Sequence, residues 1–202
     1  MGVLGTIIAD NRFMPEDLPA FRTRLFFEGD KRRADLERFS VLLFLSTVIA
    51  TLGVMGDSTA TVIGAMIIAP LMRPIMATAA GLVMGDMNRA GSSILIVLAS
   101  VAGVIGTAWL LTELTVVTVI SIESNTQFSS RTSPRLVDLY AALASGAAGA
   151  FAISRKDVAD SLPGVAIAIS LVPPVCVAGI ALAEGEWSAA GGAMLLFLTN
   201  FL

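Results

Sequence analysis

The sequence predicts an all-α membrane protein of about six transmembrane helices, arranged as two inverted three-helix repeats, each with a proline-broken second helix. Three observations lead there. The first is composition: 55% of the 202 residues are hydrophobic and 14% are charged, against about 25% charged in a soluble domain. Whole windows of roughly 20 residues are nearly free of charge, the length and composition of a lipid-crossing helix. The second is an internal repeat. GAMIIAPLMRPIMATAAGLVMGDMNRAG, from Gly64, aligns without a gap on GVAIAISLVPPVCVAGIALAEGEWSAAG, from Gly164. Leu71 meets Leu171, Pro74 meets Pro174, Gly85 meets Gly185 and Asp86 meets Glu186. The third is that proline interrupts both copies. An apolar segment broken in this way in each half of a chain points to discontinuous helices with a binding site between them.

Composition also excludes. A single cysteine, Cys176, and the lack of histidine rule out an intrachain disulfide and a Cys/His zinc site. No metal site or cofactor is expected. A net charge of -3, with no basic patch carrying interleaved aromatics, gives no support for nucleic-acid binding. There is no nucleophile motif and no pair of intramembrane carboxylates, so the chain does not read as an enzyme. The first residues have neither the basic start nor the long apolar run of a cleavable signal, and insertion rests on the internal spans.

In chain order, residues 1–38 hold most of the charge and read as cytoplasmic amphipathic helices at the membrane surface, with Leu18, Phe21 and Leu25 on one face. Residues 39–114 form the first repeat. Its helices run from 39 to 55, from 58 to 85 with Pro70, Arg73 and Pro74 at the centre, and from 90 to 114. Residues 115–133 are polar and too long for a tight turn, and read as an extracytoplasmic loop. Residues 134–202 form the second repeat. Its first helix carries a small-residue face with Ala141, Ala144 and Gly146, suited to close packing of membrane helices. Its second is broken at Pro173 and Pro174. Its third, from about residue 188, is shorter than the roughly 20 residues a span needs, as though cut within the helix. The small-residue face and the short last helix lead to the expectation of a homo-oligomer.

Charge selects the topology. If both broken elements cross, the basic residues between Lys31 and Arg38, together with Arg89, Arg155 and Lys156, fall on one face, and Arg131 and Arg135 fall opposite. The positive-inside rule makes that face cytoplasmic. Three crossings per repeat is an odd number, so the second copy is upside down relative to the first. The expected location is the cell membrane, multi-pass, with the N-terminus cytoplasmic.

GDSTATVIGAMIIAPLMRPIMATAAGLVMGD, LPGVAIAISLVPPVCVAGIALAEG and the terminal LTN resemble a prokaryotic membrane family known as domain of unknown function family 389. The resemblance covers about residues 39 to 202, and its motifs are long. It implies a multi-span hydrophobic domain, often flanked by soluble segments, and carries almost no biochemical function.

Candidate site residues follow from backbone chemistry. Proline lacks an N–H and displaces the carbonyl four residues earlier. Pro70 frees the carbonyl of Met66 and Pro74 that of Pro70; Pro173 frees Ile169 and Pro174 frees Ser170. Such groups persist at membrane depth only when protein covers them or when they line a polar cavity. Pro70, Pro74, Ser170, Pro173 and Pro174 therefore mark a substrate site. Arg73 is the sharpest single residue, since an intramembrane guanidinium costs several kcal/mol and marks function by default. It suits a bidentate anion contact, or a structural pair with Asp57, Glu113 or Asp138. Asp57 and Asp157 are candidates for ion coupling, although both also read as helix caps. The first functional reading is a secondary transporter or facilitator of a small polar or anionic solute. The alternatives are an ion channel and a non-catalytic membrane scaffold or sensor. The expected partners are the lipid bilayer, that solute or ion, and further copies of the chain.

Overall fold

A computed structural model describes residues 18–115, 124–153 and 170–202. The described residues are helical, with short connections: α1 (Leu18–Leu25), α2 (Arg32–Met55), α3 (Thr59–Ile68), α4 (Met72–Val83), α5 (Met87–Leu114), α6 (Thr126–Thr132), α7 (Leu136–Ile153), α8 (Val172–Ala183) and α9 (Trp187–Phe201). By length and hydropathy α2 and α5 can each cross a membrane. The pair α3 and α4, bent by 50° at their break, adds a third span if taken as one. α7, α8 and α9 are shorter, so the described residues supply two to three spans where the sequence suggested about six.

Local chemistry sets these boundaries. No breaker separates Arg38 from Phe39, and Arg33 pairs with Glu37 one turn on at 2.9 Å. The charged and apolar stretches therefore run together as one helix from Arg32, where the sequence suggested a junction near residue 38. Ser58, in extended backbone, caps α3 by accepting from the Thr61 amide. The repeat reappears in the turns. α4 and α8 end alike, with Gly85 at φ 70° and Gly185 at φ 77°. The Asp86 amide reaches back to the Gly81 carbonyl at 2.9 Å, and the Glu186 amide to the Ala181 carbonyl at 2.8 Å. That six-to-one bond around a left-handed residue is a helix stop that glycine adopts without a Cβ penalty.

Contacts fix two ends. At one, which we call the α1 end, Arg89 at the start of α5 binds Glu28, which precedes α2. At the other, the α6 end, Asn125 donates to the Val54 carbonyl at 2.7 Å and Gln127 donates to Thr59 at 2.7 Å. α2 and α5 thus run side by side from the α1 end. The chain from Thr59 to Asp86 leads back, from the α6 end to the α1 end, through its break. α8 starts against that break, with Leu171 and Val172 beside Leu71. It finishes at the α6 end, where Ile180 and Ala181 pack with Phe128, Val54 and Met55. The Gly85 and Gly185 turns consequently lie at opposite ends.

The core forms where α8 packs on α5 and α2. Val175, Cys176 and Val177 are fully buried among Ala50, Val104 and Ala108. The close approach depends on Gly179, where an added Cβ would stand 2.7 Å from both Ala108 Cβ and the Ile105 carbonyl oxygen. Ser46 and Thr47 sit buried in α2, their hydroxyls turned back on the Leu43 carbonyl, so the face toward α8 stays small and non-polar in effect. Gly179→Ala should therefore destabilise the protein by about 1–3 kcal/mol through overpacking, whereas Gly106→Ala, which points into open space, should fall within about 0.5 kcal/mol of wild type. Thermal unfolding in detergent reads both, and equal transition temperatures for the two variants would contradict this packing.

Candidate functional site at the junction of two broken helices

The first break has a local cause. Ala69 precedes Pro70, and the residue before proline is pushed out of the helical region; Ala69 sits at φ -62°, ψ 124°. The chain re-enters helix at once, with the Arg73 amide on the Pro70 carbonyl at 3.3 Å. Pro74 falls in the first turn of α4, where a missing N–H costs nothing. On the other copy Pro173 and Pro174 occupy the first turn of α8. Just before them Ser170 adopts φ 48°, a left-handed conformation uncommon outside glycine. Its carbonyl, which Pro174 cannot satisfy, accepts from Asn200 Nδ2 at 3.3 Å.

The breaks meet. Leu71 and Leu171, equivalent in the repeat, face the same small void of about 10 Å³, lined also by Met66, Ala69, Met72 and Val172. Among the described residues, apolar side chains close over the junction. The contact of Leu71 with Leu171 and Val172 places the chain next to Pro70 against the start of α8, where Ser170, Pro173 and Pro174 lie. Among the described residues, the small void there is lined by leucine, valine, methionine and alanine.

Arg73 points elsewhere. Its Nε donates to the Leu25 carbonyl at 3.3 Å, and its Nη2 to the Phe26 carbonyl at 3.2 Å and to Asp35 Oδ2 at 3.1 Å. The guanidinium also lies 4.0 Å from the centroid of the Phe27 ring. Its partner is thus Asp35, not Asp57, Glu113 or Asp138. The segment it grips was expected only to lie along the membrane surface. In fact Phe21, Leu25 and Phe26 pack on α4 at Met76, Ala77 and Ala80. Arg89 grips the same segment through Glu28, at 2.7 and 3.1 Å, while also holding Asp86 at 2.9 Å.

At the α6 end Asp57, at φ 48°, caps a helix other than its own. Its Oδ1 accepts from Thr126 Oγ1 at 2.7 Å and from the Gln127 amide at 2.9 Å. The hydrogen bond from Thr126 is the main reason its pKa falls below the ordinary value. Asn125, buried, caps α6 through the Phe128 amide and ties it to Val54. Asp57 is therefore occupied as a latch, and Asp157 lies outside the described residues. Among the described residues, no group of three or more His, Cys, Asp or Glu could hold a metal. Sequence reasoning missed Asp35, Asn125, Gln127 and Asn200. The one available signal was that each is a polar side chain close to an apolar segment.

Comparison with known proteins gives the family. The profile of a family described as Domain of unknown function (DUF389) matches residues 66–202, more than half of the chain. The chain belongs to this family. An uncharacterised protein of Methanocaldococcus jannaschii is 30% identical over 162 residues, covering 80% of this chain and 49% of that protein. The chain thus spans about half the length of this curated relative. No solved structure matches.

The two latches respond differently to perturbation. Arg73→Ala removes charge-assisted hydrogen bonds worth about 1.5–3 kcal/mol from a site where both partners are less than one-third exposed. Hydrogen exchange of residues 26–31 should accelerate at least tenfold, with partial recovery on adding Asp35→Asn. Unchanged exchange would show that the clamp carries no energy. For Asp57 the folded pKa lies below the ordinary value of 3.8. Its contribution is complete above that pH and is lost as pH falls through the lower folded value. Exchange protection of α6 should accordingly stay constant between about pH 5 and 9 and drop only in stronger acid; a step near neutrality would contradict this assignment.

Proposed function

We propose that this chain belongs to an integral membrane transport protein, a secondary transporter or facilitator. Its small polar or anionic solute binds between the two broken helices. The observation that carries the reading is the Leu71–Leu171 contact. Two proline-broken elements, equivalent in an internal repeat, meet there, and α4 and α8 leave it toward opposite ends. This supports a six-span architecture of two inverted repeats, in the cell membrane, with the α1 end cytoplasmic. The packing of α7 chiefly on α9, with Ala141, Ala144 and Ala147 left exposed, supports a homo-oligomer.

In this reading the closed junction is one state of a cycle. Toward the cytoplasm the way is covered by the segment that Arg73 and Arg89 hold. Toward the outside it is covered by α6, whose Phe128 is buried among α2, α8 and α9. Release of either cover, with a hinge at residues 69–71 or at Ser170, uncovers the carbonyls of Met66 and Ser170. Solute is coordinated by those carbonyls and by Asn200. A leucine-lined constriction also suits a channel that gates by dewetting, and one experiment separates the readings.

In a Cys176→Ala background, Leu71→Cys and Leu171→Cys are exposed to a membrane-impermeant maleimide from either side of sealed vesicles. A transporter should label from both sides. An added disulfide between Asp57→Cys and Thr126→Cys, positions already joined by a 2.7 Å hydrogen bond, should block labelling from outside and leave labelling from inside. A channel should lose labelling from the blocked side while its ionic conductance falls in parallel. A scaffold should label from neither side, which would overturn the proposal.

A further inference from the structure

A cleft of about 390 Å³ runs between α2 and α5, walled by Leu36, Phe44 and Thr47 on one helix and by Ile96, Gly103 and Thr107 on the other. Its polar side chains do not make it polar. Thr47 Oγ1 donates to the Leu43 carbonyl at 2.7 Å, and Ser100 Oγ to the Ile96 carbonyl at 2.6 Å. At the α1 end the cleft continues into an open groove of about 700 Å³, and the two share Leu36 and Ser40. The groove is lined by Gly29, Asp30, Arg32, Arg33, Glu37 and Val41 as well. Polarity thus changes along one continuous surface, from charged side chains to hydrocarbon.

We propose that this surface binds one anionic phospholipid, its phosphate at Arg32 and Arg33 and one acyl chain in the α2–α5 cleft. Length supports the match. From Leu36 to Thr47, and equally from Ile96 to Thr107, is eleven residues, or about 16 Å of helix, which is half of the roughly 30 Å hydrocarbon core. Charge supports it too. Arg33 pairs with Glu37, and Asp35 in the same turn is drawn away to Arg73. Arg32 makes no ion pair among the described residues, and Lys31 and Arg38 stand exposed beside it. Around the groove Lys31, Arg32, Arg33 and Arg38 outnumber Asp30, Asp35 and Glu37, and anionic lipids at a cytoplasmic leaflet attract Lys and Arg by about 1 kcal/mol each. The exposed apolar side chains Val41, Phe44 and Leu45 continue the wall that lipid covers. This site is separate from the helix junction and does not depend on the transport reading.

Native mass spectrometry of the full 202-residue chain, loaded with equal amounts of phosphatidylglycerol and phosphatidylcholine of identical acyl chains, tests it. Phosphatidylglycerol should be retained with a preference of roughly tenfold. Arg32→Gln with Arg33→Gln should bring that preference close to one; Arg32→Gln alone should bring it part of the way. Gly103→Leu fills open space and should reduce retention of both lipids while circular dichroism stays unchanged. Equal retention of the two lipids by wild type would overturn the site, as would a preference that survives the double substitution. So would full lipid loading of Gly103→Leu, or conversion of an oligomer to monomers by that variant, since the cleft would then hold a second copy of the chain.

Discussion

A proline inside a membrane helix leaves a carbonyl that lipid cannot hydrogen-bond, and the rest of this structure is arranged around that constraint. Two such interruptions, one per repeat, sit against each other at Leu71 and Leu171, so that each break is covered by protein. The cover is made by α8, which lies in the groove of α5 and α2 with Gly179 touching the α5 backbone. Where packing alone is insufficient, a side chain supplies the missing donor, as Asn200 does for Ser170.

Polar contacts gather at the two ends of the molecule. At one end two arginines converge on a single short segment. Arg73 takes two backbone carbonyls, a carboxylate and an aromatic face; Arg89 takes Glu28 and Asp86. At the other end Asp57 and Asn125 hold α6 by its first turn, and Phe128 enters the space between α2, α8 and α9. Both devices are polar, local and hydrogen-bonded outward from a core that is almost wholly apolar.

The left-handed residues fit the same division. Gly85 and Gly185 terminate helices without strain. Asp57 and Ser170 hold φ 48° although each carries a Cβ. Asp57 is tolerated because its carboxylate is fixed by α6, and Ser170 sits where one broken element turns into helix. Non-glycine residues in this region cost of order 1–3 kcal/mol and concentrate where a chain must switch direction or state.

The sequence by itself determined the membrane composition, the repeat and the position of the break at Pro70. These depend on residue type and spacing along one chain, and proline acts on its own neighbours. Pro70 was legible for that reason, and so were the turns at Gly85 and Gly185. What the tertiary structure decided was where the polar side chains go. The partners of Arg73 lie 38 to 48 residues away in the chain, beyond the reach of any local pattern. Asp57 looked like a cap for the following helix, but the helix it caps is reached across 69 residues, and Ser58 already serves the nearer one. Long-range pairing of this kind depends on which ends the packed helices bring together. That is settled by the fit of α8 against α5 and α2, and no local pattern records it.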